Sequence, residues 1–204
     1  MITSGPTREK IDSVRFISNP SSGKTGFHLA NEAMSRGYKT IFITGPSSFI
    51  PLADIVVKVE SAAEMNTAVK NHLKTADVVI GAAAVGDFYP ERFGGKIDRK
   101  EPMTLKLRPT EDIIGFAGKN KGKRIIAGYS AEMGKNFKRA VEKMKRKKID
   151  IMVVNDISKK EAGFESDFNE ITIINRRGRA VFSGKGTKEE LASRVFDVIE
   201  KAGA

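Results

Sequence analysis

Residues 55–82 read IVVKVESAAEMNTAVKNHLKTADVVIGA, and the alternation inside this stretch decides the fold. Ile55 to Val59 is a β-branched run broken only by Lys58, and Val78 to Ala82 is a second run with no charge. Between them Ala63, Met65, Ala68, Val69 and Leu73 recur at helical spacing and fall largely on one face. A continuous apolar run suits a strand covered on both faces, and an amphipathic helix between two such runs is a crossover between parallel strands. The motif recurs downstream, where Phe137, Ala140, Val141 and Met144 share a face between the runs Arg124 to Tyr129 and Ile151 to Asn155. Ile41 to Thr44 supplies a further run. The pattern predicts an α/β chain with a Rossmann-like, doubly wound, mainly parallel sheet.

Working outward, Met1 to Thr3 reads as the end of a first strand, and Gly23 to Arg36 as the first helix, ended by Gly37. Phe88 to Pro102 breaks the alternation: Pro90, Gly94, Gly95 and Pro102 stand among many charges, which predicts a mobile flap. Glu170 to Asn175 and Arg179 to Ser183 flank Arg176-Arg177-Gly178 and predict a C-terminal β-hairpin. Thr187 can cap a last helix, with Glu189 and Glu190 in its first turn. Without an internal repeat or a long linker, residues 1–204 are expected to form one domain with the flap 88–102 inside it.

Composition narrows the chemistry. Lys plus Arg number 36 against 25 Asp plus Glu, a net charge of +11 that favours anionic partners: phosphorylated small molecules, nucleic acid or a membrane surface. With no cysteine, disulfides, thiolate zinc sites and cysteine nucleophiles are excluded. His28 and His72 are the only histidines, so a multi-histidine metal site is not expected. No apolar run approaches the ~20 residues that span a bilayer, and Met1 to Pro6 lacks a basic region followed by an apolar stretch. A cytoplasmic protein without membrane contact is expected.

Ser18-Asn19-Pro20-Ser21-Ser22-Gly23-Lys24-Thr25-Gly26 imitates the end of a P-loop. That motif requires a glycine five residues before Gly23, where Ser18 stands, and a strand running directly into the loop. An ordinary P-loop is rejected, and the G-x-G-x-x-G fingerprint is absent too. Small residues before a helix still let backbone N–H groups approach an anion. The plainer reading is that Ser21 and Ser22 only cap the helix.

The segments Ile2-Thr3-Ser4-Gly5-Pro6-Thr7-Arg8-Glu9, Val14-Arg15-Phe16-Ile17-Ser18-Asn19 and Ser21-Ser22-Gly23-Lys24 closely resemble the opening of phosphopantothenate–cysteine ligases. Shorter matches follow in order: Ala82-Ala83-Ala84-Val85-Gly86-Asp87, Lys96-Ile97, Asp112-Ile113, Gly128-Tyr129-Ser130-Ala131-Glu132, Asn155-Asp156-Ile157-Ser158, and Gly163-Phe164 with Ser166-Asp167. The resemblance implies a ligase of coenzyme A synthesis. In that family a carboxylate of 4′-phosphopantothenate attacks the α-phosphate of a nucleoside triphosphate, CTP in most bacteria and ATP in eukaryotes. Pyrophosphate leaves, and the amine of L-cysteine then displaces the nucleotide from the acyl-nucleotide. Such an enzyme holds anions together and stabilises charge, with Mg²⁺ and lysines, and needs no protein nucleophile. The metal ligands are not identified by the sequence. The resemblance also implies a homodimer in which one subunit's flap completes the other's site. A decarboxylase domain is often fused ahead of the ligase in bacteria, so a standalone form with a separate decarboxylase partner is envisaged here.

Roles carry over only where residues match. Asn19 matches the family asparagine that contacts phosphopantothenate and its activated acyl group; its plainer role is to fix a loop. Lys96 matches the first lysine of the basic flap motif, which acts on the nucleotide and the substrate. Here Ile97-Asp98-Arg99-Lys100 follows instead of further lysines, so a neighbouring basic residue is the alternative. Gly81, Ala82, Ala83 and Ala84 end a strand where ligands approach the backbone in doubly wound sheets, with Ala84 assigned to the substrate and the others, like Ser21, to the nucleotide. Asp87 matches a nucleotide-contacting aspartate. Glu111, Asp112, Ile113 and Ile114 occupy the family's Asn-Pro-Asp-Ile segment and are assigned to a nucleotide wall; the plain reading is a helix start with Thr110 as cap. Tyr129 stands where the family has phenylalanine and can pack on a base. Lys143 and Lys147, four apart on one face of the basic segment Lys135 to Lys148, match two nucleotide-binding lysines, while the other lysines there are expected to be solvated.

Two other functions are open to this composition. A nicotinamide-dependent reductase would share the fold, but no tyrosine has a lysine four residues later: Tyr38, Tyr89 and Tyr129 precede Phe42, Phe93 and Met133. Nucleic-acid binding through the basic helix lacks interleaved aromatics, and no nucleic-acid partner is expected.

Overall fold

The computed structural model describes residues 1–98, 102–134, 137–158 and 167–203. The chain runs β1 (Ile2–Ser4), β2 (Arg8–Lys10), β3 (Phe16–Ser18), α1 (Lys24–Ser35), β4 (Ile41–Thr44), β5 (Ile55–Lys58), α2 (Ala62–His72), β6 (Val78–Gly81), β7 (Phe88–Pro90), β8 (Leu107–Pro109), α3 (Ile113–Lys119), β9 (Ile125–Glu132), α4 (Phe137–Lys147), β10 (Ile151–Asp156), β11 (Phe168–Asn175), β12 (Ala180–Thr187) and α5 (Lys188–Gly203). Eight strands form one sheet in the order β12-β11-β10-β9-β6-β1-β4-β5. From β10 to β5 all neighbours are parallel, with Ile2 beside both Phe42 and Ile80 and Ile80 beside Ala127. The predicted hairpin β11–β12 extends the sheet antiparallel to β10.

Two apolar layers cover the sheet, as the unbroken runs require. On one face Met65 and Val69 of α2, Ile113 and Ala117 of α3, and Ala140 and Met144 of α4 pack with Ile43, Val79, Ile126 and Met152. On the other, Leu29 and Ala33 of α1 and Leu191, Val195 and Phe196 of α5 pack with Ile2, Phe42, Ile80 and Val153. The chain is thus doubly wound, and the carboxyl ends of β1, β6, β9 and β10 share one edge.

Local starts differ from expectation at three places. The cap of α3 is Asp112, whose carboxylate accepts from Gly115 N at 3.0 Å. Thr110 instead donates its hydroxyl to Gly86 O at 2.7 Å, tying α3's approach to the loop after β6. The cap position of α1 is Gly23, at φ 85°, which has no side chain to cap with; Ser22 Oγ instead accepts from Lys24 N at 3.4 Å, a long bond to the first N–H of the helix. Third, the expected flap is longer and better anchored than its composition implies. β7 and β8 pair antiparallel, Phe88 opposite Pro109, so the excursion closes at 109 instead of 102. Its middle lies along the tip of the β2–β3 hairpin: Phe93 N donates to Ile11 O at 2.8 Å, Ser13 N to Gly95 O at 3.0 Å, and Ile97 N to Asp12 Oδ2 at 3.1 Å. The partners come from some 80 residues earlier, which no local pattern reveals. Arg99 and Lys100, the alternative basic residues, lie outside the described residues, as do Lys135 and the Gly163-Phe164 and Ser166 matches.

Candidate active site

A cavity of about 1100 Å³ opens at the shared carboxyl edge and reaches from the α3–α4 side of the sheet to the α1–α5 side. Gly81, Ala82, Ala83 and Ala84 form its floor as β6 ends, with Asp87 just beyond. Glu111 to Ile114 make one wall, Lys143 and Lys147 line the same side, Tyr129 lies within β9, and Asn19 and Ser21 stand in the loop before α1. Lys96 is the exception. It is exposed and does not line the cavity; it sits between Gly95 and Ile97, which are bonded to the β2–β3 hairpin.

The opening motif builds this edge. Thr7 Oγ1 accepts from Gly86 N at 2.9 Å, and Glu9, 6% exposed, accepts from Ala62 N at 2.9 Å. The hairpin is thereby fastened to the β6 exit and to the start of α2. Asn19 adds a third tie: Nδ2 donates to Ala84 O and Val85 O, both at 3.1 Å. Since both partners are carbonyls, the amide orientation is dictated. The donor expected to face the acyl oxygen is engaged here, and reaches a ligand only by exchanging one of these partners. At Gly26 a Cβ would stand 2.2 Å from Ser4 Oγ, so only glycine lets α1 approach β1 this closely. That approach places the first turn of α1 on the cavity.

On the α3–α4 side Lys147 Nζ lies 2.6 Å from Asp112 Oδ1. Burial pushes the Asp112 carboxyl up, but the hydrogen bonds from Lys147 and Gly115 N and the charges of Lys147 and Arg146 outweigh it and hold the group below the usual range. Glu111 turns away toward α2, bonded to Lys70 at 2.8 Å and Asn66 at 2.5 Å. Lys143 Nζ donates to Ser130 Oγ at 3.0 Å, and Ser130 donates to the buried Glu132 at 2.7 Å. Burial first, then the charge of Lys147, draws the Lys143 ammonium below its ordinary value, opposed by Glu132 and Asp87. Burial raises the Tyr129 phenol well above its ordinary value. Among the described residues no three acidic or histidine side chains cluster as a metal site.

Several lining residues were not singled out from the sequence as site residues: Lys24, Ser130, Arg139, Arg146, Asn169 and Lys188. Ser130 stood inside a quoted match, and its role as a link between Glu132 and Lys143 is a cross-element contact. Lys188, at the start of α5, is 5% exposed.

The fold and this cleft define a Rossmann-like α/β protein with its ligand cavity at the carboxyl edge of a parallel sheet. The chain belongs to the family described as DNA/pantothenate metabolism flavoprotein C-terminal domain, whose model matches residues 1–202. It is 40% identical over 183 residues to the coenzyme A biosynthesis bifunctional protein CoaBC of Bacillus subtilis (strain 168), covering 87% of this chain and 45% of that protein. It is also 40% identical over 205 residues to a cysteine/cysteine sulfinic acid decarboxylase of an unknown prokaryotic organism, covering 98% of this chain and 56% of that one. The chain therefore spans about half the length of these relatives. The crystal structure of the C-terminal domain of a CoaBC protein superposes with a TM-score of 0.82 at 35% identity, covering 98% of this chain and 94% of that one.

Proposed function

We propose that this chain is a phosphopantothenate–cysteine ligase, joining 4′-phosphopantothenate to L-cysteine at the expense of a nucleoside triphosphate. One observation carries the reading: residues scattered from Asn19 to Lys147 that match the ligase motifs line a single cavity, while the fold matches the C-terminal half of a coenzyme A biosynthesis protein. The substrate carboxylate attacks the α-phosphorus. The new O–P bond forms as the bond to the β-phosphate oxygen breaks, and pyrophosphate departs with the electron pair. The cysteine amine then attacks the acyl carbon, loses a proton and expels the nucleoside monophosphate. CTP is the favoured triphosphate, with ATP the alternative.

Ile113, Ile114 and the small floor residues Gly81 to Ala83 offer an apolar slot for the base, and Lys143 and Lys147 are cations for the phosphates. Asp87, which lines the cavity, would be the carboxylate to hold Mg²⁺. The ion's chemistry is charge neutralisation on the triphosphate. Asn19 holds the loop and the β6 exit in register around the acyl group. Lys96 lies outside the cavity of its own subunit, on an arm that exposes Phe88 and Phe93 and runs along a hairpin that exposes Val14 and Phe16. We assign it to the partner's cavity in a homodimer, whose apolar surface these side chains supply. A cytoplasmic location fits this chemistry; among the described residues no helix is long and apolar enough to cross a membrane.

The deciding experiment is a product assay with 4′-phosphopantothenate, cysteine, Mg²⁺ and each triphosphate in turn. Formation of phosphopantothenoylcysteine with stoichiometric pyrophosphate supports the reading, and no product with any triphosphate overturns it. Mixing inactive Asn19→Ala and Lys96→Ala proteins tests the shared site. Partial recovery of activity is expected in mixed dimers, and no recovery despite verified subunit exchange refutes the sharing.

A further inference from the structure

Lys143 meets the cavity with two polar side chains of β9 behind it. In that strand Ile126 packs in the core layer shared with Ala140 and Met144 of α4. Ser130 and Glu132 stand at even spacing further along and so share its face. Ser130 is 3% exposed and Glu132 8%. Ser130 lines the cavity, whereas Glu132 does not. Lys143 Nζ lies 3.0 Å from Ser130 Oγ, which lies 2.7 Å from a carboxylate oxygen of Glu132. The direction of both bonds follows from the groups. An ammonium only donates, so the hydroxyl oxygen accepts from Lys143 and its one proton goes to the carboxylate. The strand beneath is fixed, for Ser130 pairs in register with Val154 of β10.

The hydroxyl therefore stands between two opposite charges that would otherwise meet. A lysine side chain is flexible, and attraction between unlike charges strengthens where water is excluded. Glu132 draws Lys143 toward the interior and away from the cavity. With Ser130 in place that pull ends at the hydroxyl, and Nζ stays on the cavity wall. Ser130 takes one of the three ammonium donors, which leaves the others for a ligand. Facing the same ammonium are Lys147 and Arg139 of its own helix and Asp87 from the loop after β6. Burial and the two cations draw Lys143 below its ordinary value, and Glu132 opposes them. The carboxylate thus helps to keep the ammonium charged while the hydroxyl keeps the two apart.

We propose that Ser130 is the positioning residue of Lys143: its hydroxyl is a spacer that holds the ammonium in the cavity for the nucleotide, instead of in a direct ion pair with Glu132. The inference rests on the ligase reading for the identity of the anion that Lys143 meets. In Ser130→Ala the Glu132 carboxylate loses its donor, and a buried carboxylate without one is costly and draws a nearby cation. Lys143 then closes on Glu132 and is lost to the ligand. Once Glu132 is made neutral as well, that pull is gone, and Lys143 returns to the cavity.

The test is calorimetric binding, without turnover, of Mg²⁺-CTP and Mg²⁺-ATP to single and double variants. Ser130→Ala is expected to weaken the triphosphate by about three- to tenfold. Ser130→Thr keeps the hydroxyl and should change the affinity less than about twofold. Adding Glu132→Gln to Ser130→Ala should recover most of the loss, an outcome that mere damage to the strand would not give. In a Lys143→Gln background Ser130→Ala should have no further effect. Three results overturn the proposal: unchanged affinity in Ser130→Ala, a double variant no tighter than Ser130→Ala, and a Ser130→Ala loss that persists without Lys143. Should Ser130→Ala show no cooperative thermal transition, Ser130→Cys takes its place, because a thiol is similar in shape but a weak hydrogen-bonding group. The same loss and the same recovery are expected there, and no loss refutes the spacer. Ser130-dependent triphosphate binding in a protein that forms no phosphopantothenoylcysteine would sustain the spacer and reject the ligase reading. Product formation by a Ser130→Ala protein that binds triphosphate like the wild type would do the reverse.

Discussion

Replacement of Asn19 separates anchoring from chemistry. Its Nδ2 makes two bonds of 3.1 Å, to the carbonyls of Ala84 and Val85, in an exposed setting. A neutral hydrogen bond contributes about 0.5–1.5 kcal/mol net, and carbonyls that water can reach fall at the low end. Asn19→Ala should therefore cost about 1 kcal/mol in total and lower the melting temperature by about 2–4 °C for a chain of this size. Asn19→Asp places a carboxylate against the same two carbonyl oxygens and cannot donate to either when ionised. It should destabilise more than alanine, by about a further 1 kcal/mol. In the reaction, removal of one donor from a preorganised site slows a step by about 10²–10³. Both variants should still release pyrophosphate and accumulate acyl-nucleotide, with transfer to cysteine impaired. Quenched reactions read by mass spectrometry, beside a pyrophosphate assay, follow the two half-reactions separately. A folded variant that binds both substrates and releases no pyrophosphate would place Asn19 in the activation step. An Asn19→Asp protein as stable as the wild type would refute the anchoring.

Three further outcomes follow from the geometry. Because burial and Lys147 lower the Lys143 pKa, its positive charge is lost at a lower pH than an ordinary lysine loses it. Triphosphate affinity should fall on the approach to pH ~10.5, the ordinary lysine value, and Lys143→Arg should flatten that fall in a titration of affinity against pH; a wild-type affinity flat to the same limit refutes the assignment. Asp112 titrates in the opposite sense. Its carboxyl lies below the unfolded value, so the stabilisation is complete above that value and disappears as pH falls through the folded one. Asn can still cap, so Asp112→Asn should be less stable than wild type at neutral pH by no more than about 1 kcal/mol, the carboxylate being half exposed, with the gap closing in acid; a gap that widens in acid contradicts this. Gly26→Ala drives a methyl to 2.2 Å from Ser4 Oγ and 2.4 Å from Ser4 Cβ. The helix must back away from β1 at a cost of about 1–3 kcal/mol, measurable as a lower urea midpoint, and an unchanged midpoint would mean that the approach is not needed.

Much of this was legible in the residues. Apolar runs alternating with one-faced helices specify a parallel sheet because a strand buried on both sides cannot alternate, and the runs at 41–44, 55–59, 78–82, 124–129 and 151–155 all became strands of it. The hairpin near the C-terminus was legible because Asn175 and Gly178 carry the turn locally: Gly178 N donates to Asn175 O, and the Asn175 side chain accepts from Arg177 N and Arg179 N. Lys143 and Lys147 were readable as a pair because a helix sets residues four apart on one face.

What tertiary structure alone decided are contacts between distant segments. Asp112 rather than Thr110 caps α3 because Thr110 is drawn to Gly86, and residues 93–97 of the arm lie along the β2–β3 hairpin because Asp12 and its neighbours bind them. Lys188 illustrates the limit most clearly. In sequence it is one lysine in a polar helix start, with nothing to distinguish it from Lys185 or Lys201. Only the packing of α5 beside α1 buries it, brings it near Lys24 and turns both lysines toward one cavity. Burial and the field of a neighbouring charge depend on where other elements lie, and a pattern along the chain holds no record of that. The sequence determined the layers, the crossovers and the ligase motifs; the fold decided which cations face the cavity and which face water.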